Sequence, residues 1–173
     1  MGTYGSTWES RGYCGRGPVE SLINTLQGRP AVVCGSAQTV FEELEDVYSK
    51  VDKPVIFGVN DVGMYLPKMD HWVSLHADHL GVWKAVRWLH ARNQEKTEYH
   101  SVTPRPVVDH LWENLTPLFA LSGYFAMQVA YIMGASPIVL CGCPGEAAPR
   151  FFESQPRPDF GYGTGTGGSE SGV

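Results

Sequence analysis

The sequence predicts a three-layer α/β/α domain of the Rossmann-like type, built on a mainly parallel sheet. Two observations predict it: short apolar runs alternate with helical segments, and 173 residues suit one domain with a core of its own. Glycine is concentrated at both ends of the chain. We therefore expect a flexible N-terminal arm over residues 1–17, a domain over 18–146 and a proline- and glycine-rich tail over 147–173.

Five apolar or β-branched runs are too short for helices and predict the strands of the sheet. Continuous apolar strands that alternate with helices indicate a parallel sheet covered on both faces. The fourth run is more polar than the others and predicts a weaker strand. In chain order, the predicted strands are 30–34, 54–59, 71–75, 99–102 and 138–141.

Four segments with helical periodicity or helix-end signals predict the helices. Pro18 in a first turn and Gly28 as a stop delimit the first one. Thr39 and Glu42 have the spacing of a capping box, which predicts the start of the second. Gly134 is expected to end the last helix, because glycine is favoured just after a helix C-terminus. The predicted helices are 18–27, 39–49, 80–93 and 122–134.

The composition argues against several classes of function. A net charge of −5 disfavours binding to nucleic acid or to an anionic membrane, because phosphate contacts need a basic surface. A local basic patch around Arg87, Arg92 and Lys96 remains an alternative. No signal-peptide core and no membrane-spanning apolar run is present, so we expect a cytoplasmic location without membrane contact. The four cysteines have no zinc-ribbon spacing and are expected to be buried, reduced thiols: Cys14, Cys34, Cys141 and Cys143.

Ligands of parallel sheets bind at the carboxyl ends of the strands, so the residues that follow each strand are site candidates. The turn after the first strand is Gly35-Ser36-Ala37-Gln38-Thr39. It offers free N–H groups to an anion at a helix N-terminus, or it is simply a tight turn of small residues. Asn60 follows the second strand, where its amide could bridge a ribose hydroxyl or a base edge. The next residue, Asp61, is expected to bind a metal or to cap a turn.

Two further polar groups stand at strand or helix ends. His76, Asp78 and His79 follow the third strand, and they could bind a metal, supply a general base or serve structure alone. An N-cap role for Asp78 competes with the catalytic one. Ser122 fits an N-cap position, and Gly123 beside it would let a ligand approach the backbone closely.

The remaining histidines carry no strong signal in the sequence. His71 starts a strand, and His90 and His100 are interpreted as surface or helix-flank residues without a role. His110 lies on the segment before Ser122, which we expect to fold over the site.

Three motifs in the order of the chain resemble those of the sialyltransferase-like group, which includes relatives of archaeal 6-hydroxymethylpterin diphosphokinase and short phage proteins. The motifs are VCGSAQTV at 33–40, FGVN at 57–60, and SGYFAMQVAYIMG with IVLCGC at 122–134 and 138–143. The chain departs from the group at two places. The first turn has Ser36-Ala37-Gln38 in place of the group's usual residues, and Cys143-Pro144 stands where the group has an acidic residue after the last strand. The resemblance implies that a cytidine nucleotide is held by Gly35, Ser36, Ala37, Asn60, Ser122 and Gly123.

The function predicted from these observations is the binding of a nucleotide or nucleotide-sugar, with glycosyl- or phosphoryl-transferase-like chemistry. His76 or His79 would act as general base and Asp78 would orient it. If Mg²⁺ accompanies the cytidine nucleotide or nucleotide-sugar donor, Asp61 or Asp78 should hold it. The alternative is a non-enzymatic phage or mobile-element protein whose glycine-rich ends mediate assembly with a protein partner. An NAD-dependent enzyme is disfavoured because the G-x-G-x-x-G fingerprint is missing.

Overall fold

A computed structural model describes residues 19–90, 96–115, 121–144 and 149–152. In this part of the chain, six strands form one sheet in which every neighbouring pair is parallel. The strands are β1 (Ala31–Cys34), β2 (Val55–Val59), β3 (His71–Val73), β4 (Glu98–Ser101), β5 (His110–Leu111) and β6 (Ile138–Cys141). The helices are α1 (Val40–Lys50), α2 (Ala77–Leu89) and α3 (Ser122–Ile132), with 3₁₀ turns at Val19–Leu22 and Asn60–Met64. The predicted α/β class is confirmed.

In the strand order β5-β4-β3-β2-β1-β6, the side of the sheet on which strands are added reverses between β1 and β6. The chain builds outward from β1 to β5, and the segment with α3 then returns it to the far side of β1. Cys34 at the end of β1 lies in register with Cys141 at the end of β6. Open parallel sheets bind ligands at such a reversal, outside the carboxyl ends of the strands.

Helices cover both faces of the sheet and create two buried clusters, because alternate residues of a strand point to opposite faces. On one face, Phe57 of β2 packs with Phe125 of α3. On the other face, Ile56 packs with Leu44 of α1 and Leu80 of α2. The architecture therefore has the three layers expected from the sequence.

Tertiary contacts change the first predicted helix. Residues 19–22 form a single 3₁₀ turn, and turns follow it as far as residue 28. The N–H groups of Asn24, Leu26 and Gly28 donate to carbonyls of residues 132–134 at the end of α3. These donors are used between segments and not within a helix, so the predicted helix over 18–27 was wrong. Gly134 does end the last helix region, with a left-handed φ of 85°.

Two predicted helix caps were also wrong. Thr39 has helical dihedral angles, and its side chain forms no capping hydrogen bond. Ser122 is the first residue of α3 and Leu121 precedes it as the N-cap. The Ser122 hydroxyl instead accepts a hydrogen bond from the Leu75 N–H at 3.3 Å. The hydroxyl thus links α3 to the end of β3, which a local capping pattern does not reveal.

Three more features differ from the prediction. β5 has two residues, too few for a periodic signal, and was not predicted. α2 begins at Ala77 rather than residue 80, because its polar first turn hid the apolar period. Arg87 is buried and donates to the carbonyls of Gly63 and Leu66 (2.8 and 2.7 Å), so it does not belong to a basic surface patch.

The predicted arm over 1–17 lies outside the described residues, as does most of the predicted tail over 147–173. Residues 149–152 are the described part of the tail, and we call them the C-terminal strap. The strap forms an antiparallel bridge between Arg150 and Ala37, and the Phe151 N–H donates to the Ser36 carbonyl at 2.9 Å. This part of the tail therefore packs on the loop that follows β1.

Candidate functional site

The loops after β1 and β6 pack directly against each other at the carboxyl edge of the sheet. The Gly35 N–H donates to the Cys141 carbonyl (2.8 Å), and the Ala37 N–H donates to the Gly142 carbonyl (3.2 Å). A Cβ on Gly35 would overlap the Gly142 carbonyl oxygen and lie 2.8 Å from the Cys143 Sγ. Glycine is therefore required at position 35, and the protein itself fills the space between these two loops.

The N-terminus of α3 lies beside this contact. Ser122 is buried and bonded to the end of β3, whereas Gly123 is half-buried. Among the described residues, a Cβ on Gly123 would come within 4 Å of one atom, the Cys143 Sγ at 3.9 Å, which is an ordinary van der Waals contact. The first turn of α3 contains no acidic residue. The positive end of the helix dipole is therefore not offset by a carboxylate of its own turn, which favours an anion there.

The N-terminus of α1 has the opposite electrostatic character. Glu42 and Glu43 lie in its first turn. The Glu43 carboxylate accepts the Gly142 N–H at 2.7 Å and so bridges α1 to the loop after β6. Negative charge already occupies this helix end, which disfavours a phosphate at the predicted turn Gly35–Thr39. Of the two helix ends, the one at Ser122 and Gly123 is the better anion site.

Asn60 links the ends of β2 and β3. It has a left-handed φ of 54°, a conformation that asparagine tolerates better than most residues. Its carbonyl accepts the Trp72 indole N–H at 2.6 Å, and its Oδ1 accepts the Ser74 hydroxyl at 2.7 Å. Its Nδ2 forms no hydrogen bond with any described residue. The half-buried Asn60 amide therefore retains a donor for a ligand.

Asp61 lies under the C-terminal strap. Its buried carboxylate forms an ion pair with Arg150. The next strap residue, Phe151, packs edge-on against Phe41 and Tyr65, with ring centroids 5.0 Å apart in each case. The strap thus covers the carboxylate that the sequence made a candidate for metal binding.

The residues after β3 separate into two kinds. The exposed His76 is fixed through its backbone N–H, which donates to the Ser74 hydroxyl at 2.9 Å. The His79 ring stacks on Trp83, with centroids 5.4 Å apart. Asp78 pairs with Arg105, and that hydrogen bond lowers the pKa of the Asp78 carboxyl. His76 and His79 remain the groups able to accept a proton, whereas Asp78 is oriented by an arginine.

Asp61 and Asp78 do not form a magnesium site. Mg²⁺ takes carboxylate oxygens together with water, in near-octahedral geometry. Each of these carboxylates faces a guanidinium group, Arg150 or Arg105, which an ion would have to displace.

The cysteines at this edge are poor nucleophiles. Burial raises the pKa of the Cys34 thiol well above its usual value and that of Cys143 to about 11. Both thiols are therefore protonated at neutral pH. The three described cysteines are free, in agreement with the expected reduced thiols, and Cys14 lies outside the described residues.

A buried cluster on one face of the sheet escaped the sequence analysis. His100 was expected at the surface but is completely buried, and it lies 3.0 Å from His71 between ring nitrogens. His110 lies in β5, 3.2 Å from the Glu98 carboxylate, and not over the carboxyl edge. The only sequence signal was the two-residue spacing of Glu98 and His100, which places both on one face of a strand.

No family model, no curated protein and no solved structure matches this chain. The resemblance to the sialyltransferase-like group therefore stays a prediction that depends on the short motifs alone. Within the described part of the chain, no helix has the length and apolar character needed to cross a bilayer.

Proposed function

We propose that this chain binds a nucleotide or nucleotide-sugar at the carboxyl edge of its sheet, with the phosphates at the N-terminus of α3. The observation that carries the proposal is the first turn of α3, which contains no acidic residue and in which no described atom would clash with a Cβ on Gly123. The edge beside the reversal of strand order is where open parallel sheets bind such ligands. Cytidine nucleotides are the first candidates, because of the motif resemblance.

Hydrogen bonds place Asn60 and Ser122 on either side of one short segment. The Asn60 Oδ1 accepts the Ser74 hydroxyl, and the Ser122 Oγ accepts the N–H of Leu75. A ligand that spans residues 74–75 would meet the Asn60 amide at one end and the α3 N–H groups at the other. That arrangement suits a polar ribose or base joined to an anionic phosphate.

The same edge carries groups for a transfer reaction. His76 follows β3 and adjoins the segment 74–75, so its imidazole is the candidate base for an acceptor hydroxyl. Negative charge that develops on the transferred phosphate or leaving group would face the N-terminus of α3. This is the basis for proposing a glycosyl- or phosphoryl-transferase-like enzyme.

One observation favours a second candidate, a non-enzymatic protein that acts through contacts with other proteins. Val82 and Leu89 share one face of α2 and are 64% and 72% exposed, and the neighbouring Trp88 is 64% exposed. Exposed large apolar side chains close together on a helix are typical of interaction surfaces. Phage-type assembly, the alternative from the sequence, would use such a surface.

Binding is tested by calorimetric and thermal-shift titration with cytidine, uridine, adenine and guanine nucleotides. Gly123→Ala is the informative variant and Gly81→Ala is its matched control. Both glycines are helical, and no atom of the described residues lies close enough to either position to clash with an added methyl group. The added methyl group at position 123 enters the proposed site, so we expect Gly123→Ala to bind nucleotide at least tenfold more weakly. Gly81→Ala should bind nucleotide as tightly as the unaltered chain.

Gly123→Asp sharpens the test. A carboxylate in a first helical turn suits the helix dipole, so the fold is retained, but it repels a phosphate at that end. We expect nucleotide binding to be lost. Absence of binding by the unaltered chain at millimolar nucleotide, or equal affinity in all three variants, would contradict the proposed site and leave the protein-interaction candidate.

A further inference from the structure

Four polar side chains form a buried cluster on the face of the sheet that α3 packs against. His71 and Glu98 are aligned residues of β3 and β4, and His100 and His110 are aligned residues of β4 and β5. His71 stacks on Phe57 with ring centroids 4.5 Å apart. The three histidines are buried, and the Glu98 side chain is 25% exposed. We call these residues the histidine cluster.

The side chains of the cluster are not those of the carboxyl edge, although the two regions adjoin where the His100 carbonyl accepts the Ser74 N–H at 3.1 Å. His71 and Glu98 are the first residues of their strands, whereas the proposed nucleotide site follows the last residues of β1 to β3. Nothing in the proposed nucleotide chemistry uses these side chains. A cluster of this polarity inside an apolar layer requires another explanation, since buried polar groups are costly unless they are satisfied.

Three ligand atoms of the cluster lie at spacings suitable for one ion. The His71 Nδ1 is 3.0 Å from the His100 Nε2 and 3.8 Å from the Glu98 Oε2. Each of the three residues offers one ligand atom within 4.8 Å of the other two. Ligands bound tetrahedrally to Zn²⁺ at about 2.05 Å are separated by about 3.3 Å. Small side-chain shifts would therefore bring the three atoms onto one metal ion.

We propose that His71 Nδ1, Glu98 Oε2 and His100 Nε2 form a binding site for a divalent transition-metal ion of the Zn²⁺ class. Two imidazoles and one carboxylate are a donor set for zinc and its first-row neighbours, and they are unsuited to Mg²⁺ or Ca²⁺, which prefer oxygen ligands. The ion would tie β3 to β4 and leave a coordination position for water.

The surroundings of the three ligands support this assignment. His110 lies 3.2 Å from the Glu98 Oε2 through its Nε2 and can orient that carboxylate, as outer-shell residues do at metal sites. Burial lowers the pKa of His71 to about 4 and that of His100 well below its usual value. The imidazoles are therefore already neutral at pH 7, as ligation requires. The partly exposed Glu98 marks the side from which an ion would enter.

Trp112 determines the proton arrangement that a metal must change. Its indole N–H donates to the His100 Nδ1 at 3.2 Å. An indole nitrogen is a donor only, so the proton of neutral His100 lies on Nε2 and points to the His71 Nδ1. Metal ligation through Nε2 requires the His100 proton to lie on Nδ1 instead. There it would face the Trp112 indole N–H, so that two hydrogen-bond donors meet. Metal binding must therefore break the Trp112 hydrogen bond, and Trp112 should weaken the site.

The test uses the untagged full chain, freed of metal with a chelator and titrated with Co²⁺ by visible absorption and with Zn²⁺ by competition. We expect one ion per chain. Glu98→Gln is the main variant, because the amide oxygen can still accept a hydrogen bond from His110 while the charge is lost. The affinity of Glu98→Gln for Zn²⁺ should be lower than that of the unaltered chain by about 100-fold or more. Glu113→Gln and His90→Gln alter exposed side chains outside the cluster and should bind as the unaltered chain does.

Trp112→Phe adds a second test, because its expected result would not be seen if the cluster had a structural role only. Removing the competing donor should make Zn²⁺ bind about threefold to tenfold more tightly, as expected for one hydrogen bond of about 1 kcal/mol. Circular dichroism checks that each variant is folded. The proposal is overturned if the unaltered chain binds no ion, if Glu98→Gln binds as well as the unaltered chain, or if His79→Gln abolishes binding, since the exposed His76 and His79 would then be the ligands.

Discussion

The buried imidazoles of His71 and His100 should make the metal-free fold sensitive to mild acid. Desolvation lowers the pKa of His71 to about 4, although Glu98 and Asp70 raise it and His110 and Arg29 lower it by smaller amounts. Burial likewise lowers the pKa of His100 well below its usual value. In the unfolded chain both imidazoles titrate near the ordinary histidine pKa of about 6.5. Below that pH the unfolded state binds more protons, so stability falls as the pH falls.

The magnitude follows from the His71 pKa. A shift from about 6.5 to about 4 corresponds to about 3 kcal/mol of stability that is present at pH 7 and lost by pH 4. Below about pH 6, His71 contributes a slope of up to about 1.4 kcal/mol per pH unit, and the lowered pKa of His100 adds to the slope in the same direction. Domains of this kind have total stabilities of about 5–15 kcal/mol, so this loss is a large fraction.

Urea unfolding in the presence of a chelator, followed between about pH 7 and pH 5, measures this slope before most carboxylates titrate. His71→Gln removes one titrating group and retains an acceptor for the His100 Nε2–H, so the slope should fall by up to about 1.4 kcal/mol per pH unit. His90→Gln changes an exposed histidine and should leave the slope unaltered. A stability that stays constant down to pH 5, or an equal slope in His71→Gln, would refute the reasoning.

Two other substitutions probe contacts near the carboxyl edge. Gly63→Ala places a methyl group against the Trp72 indole, 2.6 Å from its Nε1. The free energy of unfolding, measured with urea, should fall by about 1–3 kcal/mol. An unchanged urea midpoint would show that the ring can move aside. Arg150→Met removes the guanidinium that faces the buried Asp61 carboxylate and should cost about 1–3 kcal/mol. The double variant with Asp61→Asn should recover part of that loss, and strictly additive effects would contradict direct coupling.

Apolar runs were sufficient to place most of the sheet. All five predicted strands coincide with observed ones, because β1, β2 and β6 are nearly continuous hydrophobic segments bounded by loop residues. Helix α1 was predicted to within one residue at each end. Signals that depend on one or two side chains were less reliable. The hydroxyl of Ser122 was read as a local cap, yet it bonds to a backbone group 47 residues away in sequence.

The candidate site was predicted in the same uneven way. The rule for parallel sheets led to Asn60, Ser122 and Gly123, which the structure brings to one edge. It also selected Asp61 and Asp78, whose carboxylates are paired with Arg150 and Arg105. The arginines are 89 and 27 residues away in sequence, so a reading of neighbouring residues does not include them.

Composition and periodicity by themselves determined the fold class of this protein. They fix how much apolar surface each segment must bury, and a parallel sheet between helices buries it. Tertiary structure decided that the Glu43 carboxylate bonds to the Gly142 N–H, 99 residues away in sequence. It also decided that His71, Glu98 and His100 meet, because strand register is set by packing across the whole sheet. Such contacts join residues from different segments, so they form only when the whole chain folds.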